Sequence, residues 1–315
     1  MPSNNIFRLS VRYDFAKAED AWTVEAAALR RGSRMPVWAT EGVLFERSDH
    51  FLALFRPGTD SPDRVLSDAE QARRQLGEKV PFPLENIYLL LIAADEDQYR
   101  QMAGTNLGPV SPIAQVETSY EVTPDSLRVL ARQMVINRQK LYENGQSLET
   151  LRHELGHLLL AQVTRPFTPA WVSEAAAMYL AGTKTVSIWR DGVSGDKFTD
   201  ITIDRLTRAT SLGEHGTNQE GTSLEYAYSA AAAWYLVETY GAEQFWEFYA
   251  SYAQLPAGRL YDKLPDTVPG LDGRPPADTP IEQLAVETTA EALGRFFDLT
   301  PAQLDVRIRG WMSRQ

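Results

Sequence analysis

The chain has 315 residues, 43% hydrophobic and 23% charged, the balance of a soluble globular protein with room for one large domain with sub-lobes or for two domains. A formal charge of -11, with no cluster of lysines and arginines standing out, argues against a nucleic-acid partner, whose binding needs such a cluster to replace counterions. Cysteine is absent, so disulfides and thiolate chemistry drop out, and any metal site must be built from His, Asp and Glu.

The longest charge-free apolar run, YAYSAAAAWYLV, is shorter than the ~18 residues a membrane span requires. The opening MPSNNIFRLS lacks the basic start and apolar stretch of a signal peptide. Location is therefore left open: cytoplasmic if Met1 is the native start, extracytoplasmic if a leader once preceded it. Oligomeric state is not legible.

In chain order, FRLSVRYDF alternates Phe7, Leu9, Val11, Tyr13 and Phe15 against polar residues, the period-two pattern of a half-buried strand. AWTVEA and HFLALF read as further strands, with RPGTDSPD as a turn-rich exit. Residues 1–49 are thus expected to be a β-rich N-terminal extension without chemistry. Ser67 followed by Glu70 has capping-box spacing and predicts a helix over 68–77. NIYLLLIAA reads as a short buried strand. IAQVETSYEV and RQMVINRQKL read as two more, the second running towards the next helix.

From Leu148 to about Arg165, leucines recur at helical spacing, with Ser147 as the expected N-cap. TPAWVSEAAAMYLAG predicts a second helix, with Thr168 as N-cap, Pro169 at the first helical position and Gly182 just past the end. A polar segment rich in turn formers follows. TSLEYAYSAAAAWYLVETYG then predicts a long helix and AEQFWEFYASYAQL its helical continuation. LPDTVPGLDGRPPADTP is loop by composition, and PIEQLAVETTAEAL and PAQLDVRIRGWM close the chain as helices.

Two of the four histidines, His153 and His157, stand four apart in LRHELGHLLLAQV. On a helix that spacing turns through about 40°, so both imidazoles share one face while Leu151, Leu155 and Leu158 point to the core. Two corners of a tetrahedral zinc site are thereby available. Glu154, one step round the helix, is placed to contact a water at the metal without being a ligand. This is the HExxH arrangement. Because such matches also arise by chance in helices, a third ligand decides the matter.

A metzincin run would extend as HExxHxxGxxH, but Leu160 and Val163 stand where the glycine and third histidine belong. The gluzincin branch presents a glutamate from the next helix in a pattern like WxxEGxAxY. Residues 171–179 read WVSEAAAMY, with Trp171, Glu174, Ala177 and Tyr179 in register. A carboxylate among Trp171, Val172, Ala175, Ala176 and Met178 must be paired or metal-bound.

These two motifs, with the closing ALGRFFDLTPAQLDVRIRGWM, resemble the gluzincin clan of zinc metallopeptidases, and most closely bacterial, MA-like families with a thermolysin-like catalytic core. The likeness spans roughly residues 50–315. It implies an α+β zincin-like fold, a small mixed sheet followed by a mostly helical C-terminal lobe. The catalytic domain would run over 50–315, with the sheet and zinc helix in 50–166 and a helical lower lobe in 167–315. It implies one Zn²⁺ held by His153, His157 and Glu174, with Glu154 as general base. Ala175 replaces the usual glycine, and Met178 replaces an aspartate that supports a histidine ligand in some relatives, leaving the histidines' outer partners unassigned. The clan also uses a downstream Tyr or His to stabilise the oxyanion. The register selects Tyr226, with Tyr228 and His215 as alternatives.

The expected activity is hydrolysis of peptide or protein substrates. The amine-binding GxMEN segment of the clan's aminopeptidases is missing, and PLENI shares only its last two letters, which favours an endopeptidase. An edge strand before the zinc helix, RQMVINRQ in this reading, would take the substrate backbone by strand addition. The alternatives are a catalytically silent zincin scaffold that binds a partner, or a zinc hydrolase of a non-peptide amide. The presence of Glu154 argues against the silent scaffold, which has no use for a base.

Overall fold

The computed structural model describes residues 11–18, 21–29, 43–57, 61–103, 113–122, 125–143, 147–209, 212, 219–261 and 280–315. His215 and nearly all of the 264–280 loop lie outside them. The fold is α+β. A hairpin of β1 (Val11–Ala18) and β2 (Ala21–Leu29) forms its own antiparallel sheet, with a register shift at Asp14/Phe15.

The second sheet contains β3 (Leu44–Arg47), β4 (Phe51–Phe55), β5 (Tyr88–Ala93), β6 (Ala114–Val122) and β7 (Leu127–Asn137), in the spatial order β3-β4-β5-β7-β6. β5 runs parallel to both β4 and β7, whereas β3 and β6 pair antiparallel at the two edges. β5 occupies the middle because YLLLIA is apolar on both faces, and all six of its residues are buried. β3 precedes the expected division at residue 49 and is nevertheless a strand of this sheet. RQMVINRQ, expected as the edge, lies inside it: β7 is paired on both sides, and among the described residues β6 is the outer strand.

Helix α1 (Asp63–Gly77) crosses from β4 to β5 and buries Val65, Leu66, Ala69, Ala72 and Leu76. It begins earlier than Ser67 predicts, behind Pro62, whose missing N–H costs nothing at a helix start. Glu70 is not a capping residue. Its carboxylate accepts from Ser48 Oγ at 2.6 Å, His50 N at 2.7 Å and His50 Nδ1 at 2.9 Å, tying α1 to the start of β4. Helix α2 (Glu96–Ala103) covers the opposite face, where Tyr99 and Met102 pack with Leu89, Leu91 and Val135.

β7 turns helical at Arg138, sooner than its sequence suggests, because Asn137 Oδ1 accepts from Lys140 N and starts the short α3 (Arg138–Glu143). α4 (Ser147–Leu160) follows and places Leu151, Leu155, Leu158 and Leu159 in the main core under the sheet. It stops short of Arg165. The Leu160 carbonyl is taken by Val163 N, Thr164 N and Thr164 Oγ1, and Pro166 biases Arg165 away from helix.

α5 (Ala170–Ala181) starts one residue later than expected, with Pro169 as N-cap, while Thr168 Oγ1 accepts from Arg165 N instead. Gly182 ends it at φ 76°, a left-handed conformation that its N–H uses to reach Met178 and Tyr179 carbonyls. The polar segment beyond holds two helices that its composition concealed, α6 (Val186–Ser194) and α7 (Ile203–Arg208). Thr202 caps α7 by accepting from Arg205 N.

α8 (Gln219–Tyr240) packs on α5 through its alanine run, with Ala230, Ala231, Ala232 and Ala233 all fully buried. The lobe is completed by α9 (Ala242–Ser251), α10 (Ala257–Tyr261), α11 (Pro280–Phe297) and α12 (Pro301–Met312). Thr300 and Gln303 form a capping box that starts α12. No described helix is long and apolar enough to cross a membrane.

Candidate metal centre

The leucine stripe of α4 fixes that helix's rotation, and the imidazoles on its other face look across to α5. Trp171, Val172, Ala175 and Ala176 are buried along α5, and Trp171 Nε1 donates to Thr207 Oγ1 at 2.9 Å, anchoring the helix to α7. With both helices set, Glu174 lies opposite the two rings. Its Oε2 is 3.1 Å from His153 Nε2 and 3.2 Å from His157 Nε2. The two Nε2 atoms are 3.3 Å apart, and the rings meet edge-on with centroids 4.8 Å apart at 90°.

Zinc bonds of about 2.0–2.1 Å in a tetrahedral site put neighbouring donors roughly 3.3 Å apart. The three separations fit that spacing, so the donor set suits zinc in both chemistry and size. Among the described residues this is the one group of His, Asp or Glu side chains gathered closely enough to hold a metal ion.

Burial by itself would raise the Glu174 carboxyl, but the His157 and His153 rings more than offset it and hold the group ionised, well below the usual carboxylate range. Glu154 goes the other way. Loss of water and the negative charge of Glu174 push it up to about 7, against the opposing pull of His153. Two carboxylates on one site thus have separated proton affinities.

No protein-family model matches this chain, and no curated protein matches it. Its likeness is to solved structures. A mutant M1 zinc metallopeptidase from Deinococcus radiodurans bound to Tyr-Ser-Ala is 14% identical, with a TM-score of 0.42 over 97% of this chain and 62% of that one. The M1 zinc metallopeptidase from the same organism gives 14% and 0.38 over the same shares. A two-domain M1 zinc metallopeptidase mutant bound to L-tryptophan gives 13% and 0.42, over 96% and 61%. This chain spans about three-fifths of the length of each.

A cavity of about 690 Å³ opens in front of the three donors. Its walls include Glu154, Tyr226, the outer strand β6 through Gln115, Val116 and Thr118, and α11 through Ile281 and Ala285. Tyr226 faces the same space, and its phenol is held protonated by the charge of Glu174, by burial and by Glu154. Tyr228 does not. It is fully buried, and its hydroxyl donates to Asp305 Oδ1 at 2.8 Å in the core, outside the cavity wall. Glu85 of PLENI pairs with Arg132 at 3.0 Å and forms no part of the cavity wall.

Sequence reasoning missed the outer partner of His157. Ser173, the residue just before Glu174, sets its Oγ 3.2 Å from His157 Nδ1. Adjacency to the third donor was the one signal available for it.

Proposed function

We propose that this protein is a gluzincin-type zinc metallopeptidase, acting as an endopeptidase. His153, His157 and Glu174 hold one Zn²⁺, Glu154 is the general base, and Tyr226 donates to the oxyanion. The observation that carries the reading is the convergence of three donor atoms at zinc spacing on a cavity whose wall also holds the Glu154 carboxyl.

When bound, the ion supplies Lewis acidity at the open side of the triad. Glu154 removes the proton of the attacking water and returns it to the departing amine nitrogen. Tyr226, protonated and facing the cavity, offers its O–H to the oxygen that becomes negative as the carbonyl turns tetrahedral. β6 supports the substrate: among the described residues no strand pairs with its outer edge, so an extended peptide can add there while its side chains enter the cavity. Glu85 of PLENI stands outside the cavity wall, which favours internal cleavage over removal of terminal residues.

The test is a digest of casein and of an internally quenched peptide library, with and without chelator, alongside metal analysis of the purified protein. Chelator-sensitive cleavage at internal bonds with about one zinc per chain is expected. Zinc-loaded protein that cleaves neither would reject the reading.

A further inference from the structure

Tyr226 stands on α8 and Glu174 on α5, so the reach of the phenol across the cavity depends on how those two helices are held to each other. A donor about 1 Å out of place can cost on the order of 10²-fold in rate. Two residues beyond Tyr226, Tyr228 points the opposite way. A step of two on a helix turns through about 200°, so the turn that shows Tyr226 to the cavity buries Tyr228 behind it. There its hydroxyl donates to Asp305 Oδ1 at 2.8 Å.

Asp305 lies on α12 and takes no part in the cavity wall. Its Oδ1 also accepts the Ile203 N–H at 2.9 Å, at the start of α7. The Ile203 carbonyl accepts from Thr207 Oγ1 at 2.7 Å, and that hydroxyl accepts the Trp171 Nε1–H at 2.9 Å. Trp171 is three residues, about one helical turn, before Glu174 on α5. A line of short hydrogen bonds thus links the helix of Tyr226 to the helix of the third donor by way of α12 and α7. Tyr228, Asp305, Ile203, Thr207 and Trp171 are all buried. Arg205 and Glu225 also join α7 to α8, but at 3.4 Å and with the arginine partly exposed, so the buried contact holds the tighter geometry.

We propose that Asp305 is a positioning residue for the hydrolysis: by holding Tyr228 and Ile203 on one oxygen, it sets the stance of Tyr226 relative to Glu174 and so to the reacting carbonyl. The inference rests on Tyr226 as the oxyanion donor.

The test is steady-state cleavage of a quenched peptide by the full-length, zinc-loaded chain, in two backgrounds. Tyr228→Phe removes one hydroxyl and keeps the ring against Phe198. It should lower kcat by about 10–100-fold with KM and zinc content unchanged. Asp305→Ala should act likewise, and Asp305→Asn, which keeps an oxygen at the same place, should restore most of the rate. In a Tyr226→Phe background neither Tyr228→Phe nor Asp305→Ala should lower kcat further, because no donor is left to misplace. A general loosening of the lobe would cost the same factor in both backgrounds.

Equal losses in both backgrounds, or Tyr228→Phe and Asp305→Ala at the wild-type kcat, would overturn the inference and leave the role of Tyr226 standing. A Tyr226→Phe variant as fast as wild type, or a wild type that cleaves nothing, would reject the reading beneath the inference and the inference with it. Should Asp305→Ala fail to fold, Tyr228→Phe still decides.

Discussion

Gly156 on α4 and Ala177 on α5 stand in close contact: a Cβ on Gly156 would lie 3.3 Å from the Ala177 Cα and 3.4 Å from its Cβ. Flanked by His153 and His157 on one side and near Glu174 on the other, this crossing sets how far apart the donors stand. Gly156→Val should therefore push α5 outward, costing about 1–3 kcal/mol as overpacking does, and weaken zinc binding with it. Urea unfolding and chelator competition measure the two effects. Unchanged affinity in a destabilised variant would mean that the crossing does not govern the donor spacing.

Glu154→Gln keeps the shape of the side chain and removes the base. Zinc content and thermal stability should stay at wild-type levels while kcat falls by about 10²–10⁴-fold. Single-turnover cleavage of a quenched peptide reads it, and cleavage at the wild-type rate would eliminate Glu154 from the chemistry.

Tyr226→Phe removes one hydroxyl from the cavity wall. Loss of a donor that acts only in the transition state should lower kcat by about 10²–10³-fold with little change in KM or metal content. A rise in KM at unchanged kcat would assign Tyr226 to substrate binding instead.

Glu70 gives the fold a pH dependence remote from the metal centre. Burial opposes its charge, but the Ser48 hydroxyl, the His50 ring and the His50 main-chain N–H together hold it below its ordinary 4.5. With the folded value lower than the unfolded one, the unfolded chain takes up the proton first as pH falls. The stabilisation is then present above about 4.5 and lost as pH drops through the folded value. Glu70→Gln should cost about 1–2 kcal/mol at pH 7 and progressively less at pH 4 and below. Denaturant unfolding in chelator at both pH values checks this, and an equal deficit at each would show that the carboxylate charge is not involved.

What could be read in advance follows the range of each interaction. The 153/157 pair is helix geometry confined to one turn, and Glu174 sits in a pattern of equally local extent, so their meeting was legible. The burial of β5 was legible too, from an apolar run with no polar face. Pairing order was not: β6 and β7 both read as strands, and only the packing of the whole sheet decides which is the edge. Ser67 and Glu70 had the spacing of a cap, but Pro62 had already started the helix and His50, on a different element, claimed the glutamate. The contact between the Thr164 and Tyr249 hydroxyls had no signature, because it joins residues 85 positions apart.

His157 and Glu174 are 17 positions apart, on neighbouring helices whose mutual placement is already set by buried leucines, alanines and Trp171. An ion joining them closes a loop that side-chain packing has closed beforehand, so it adds little to what the unfolded chain must give up. Emptying and refilling the centre should then leave the architecture standing, unlike in small zinc domains that melt on chelation.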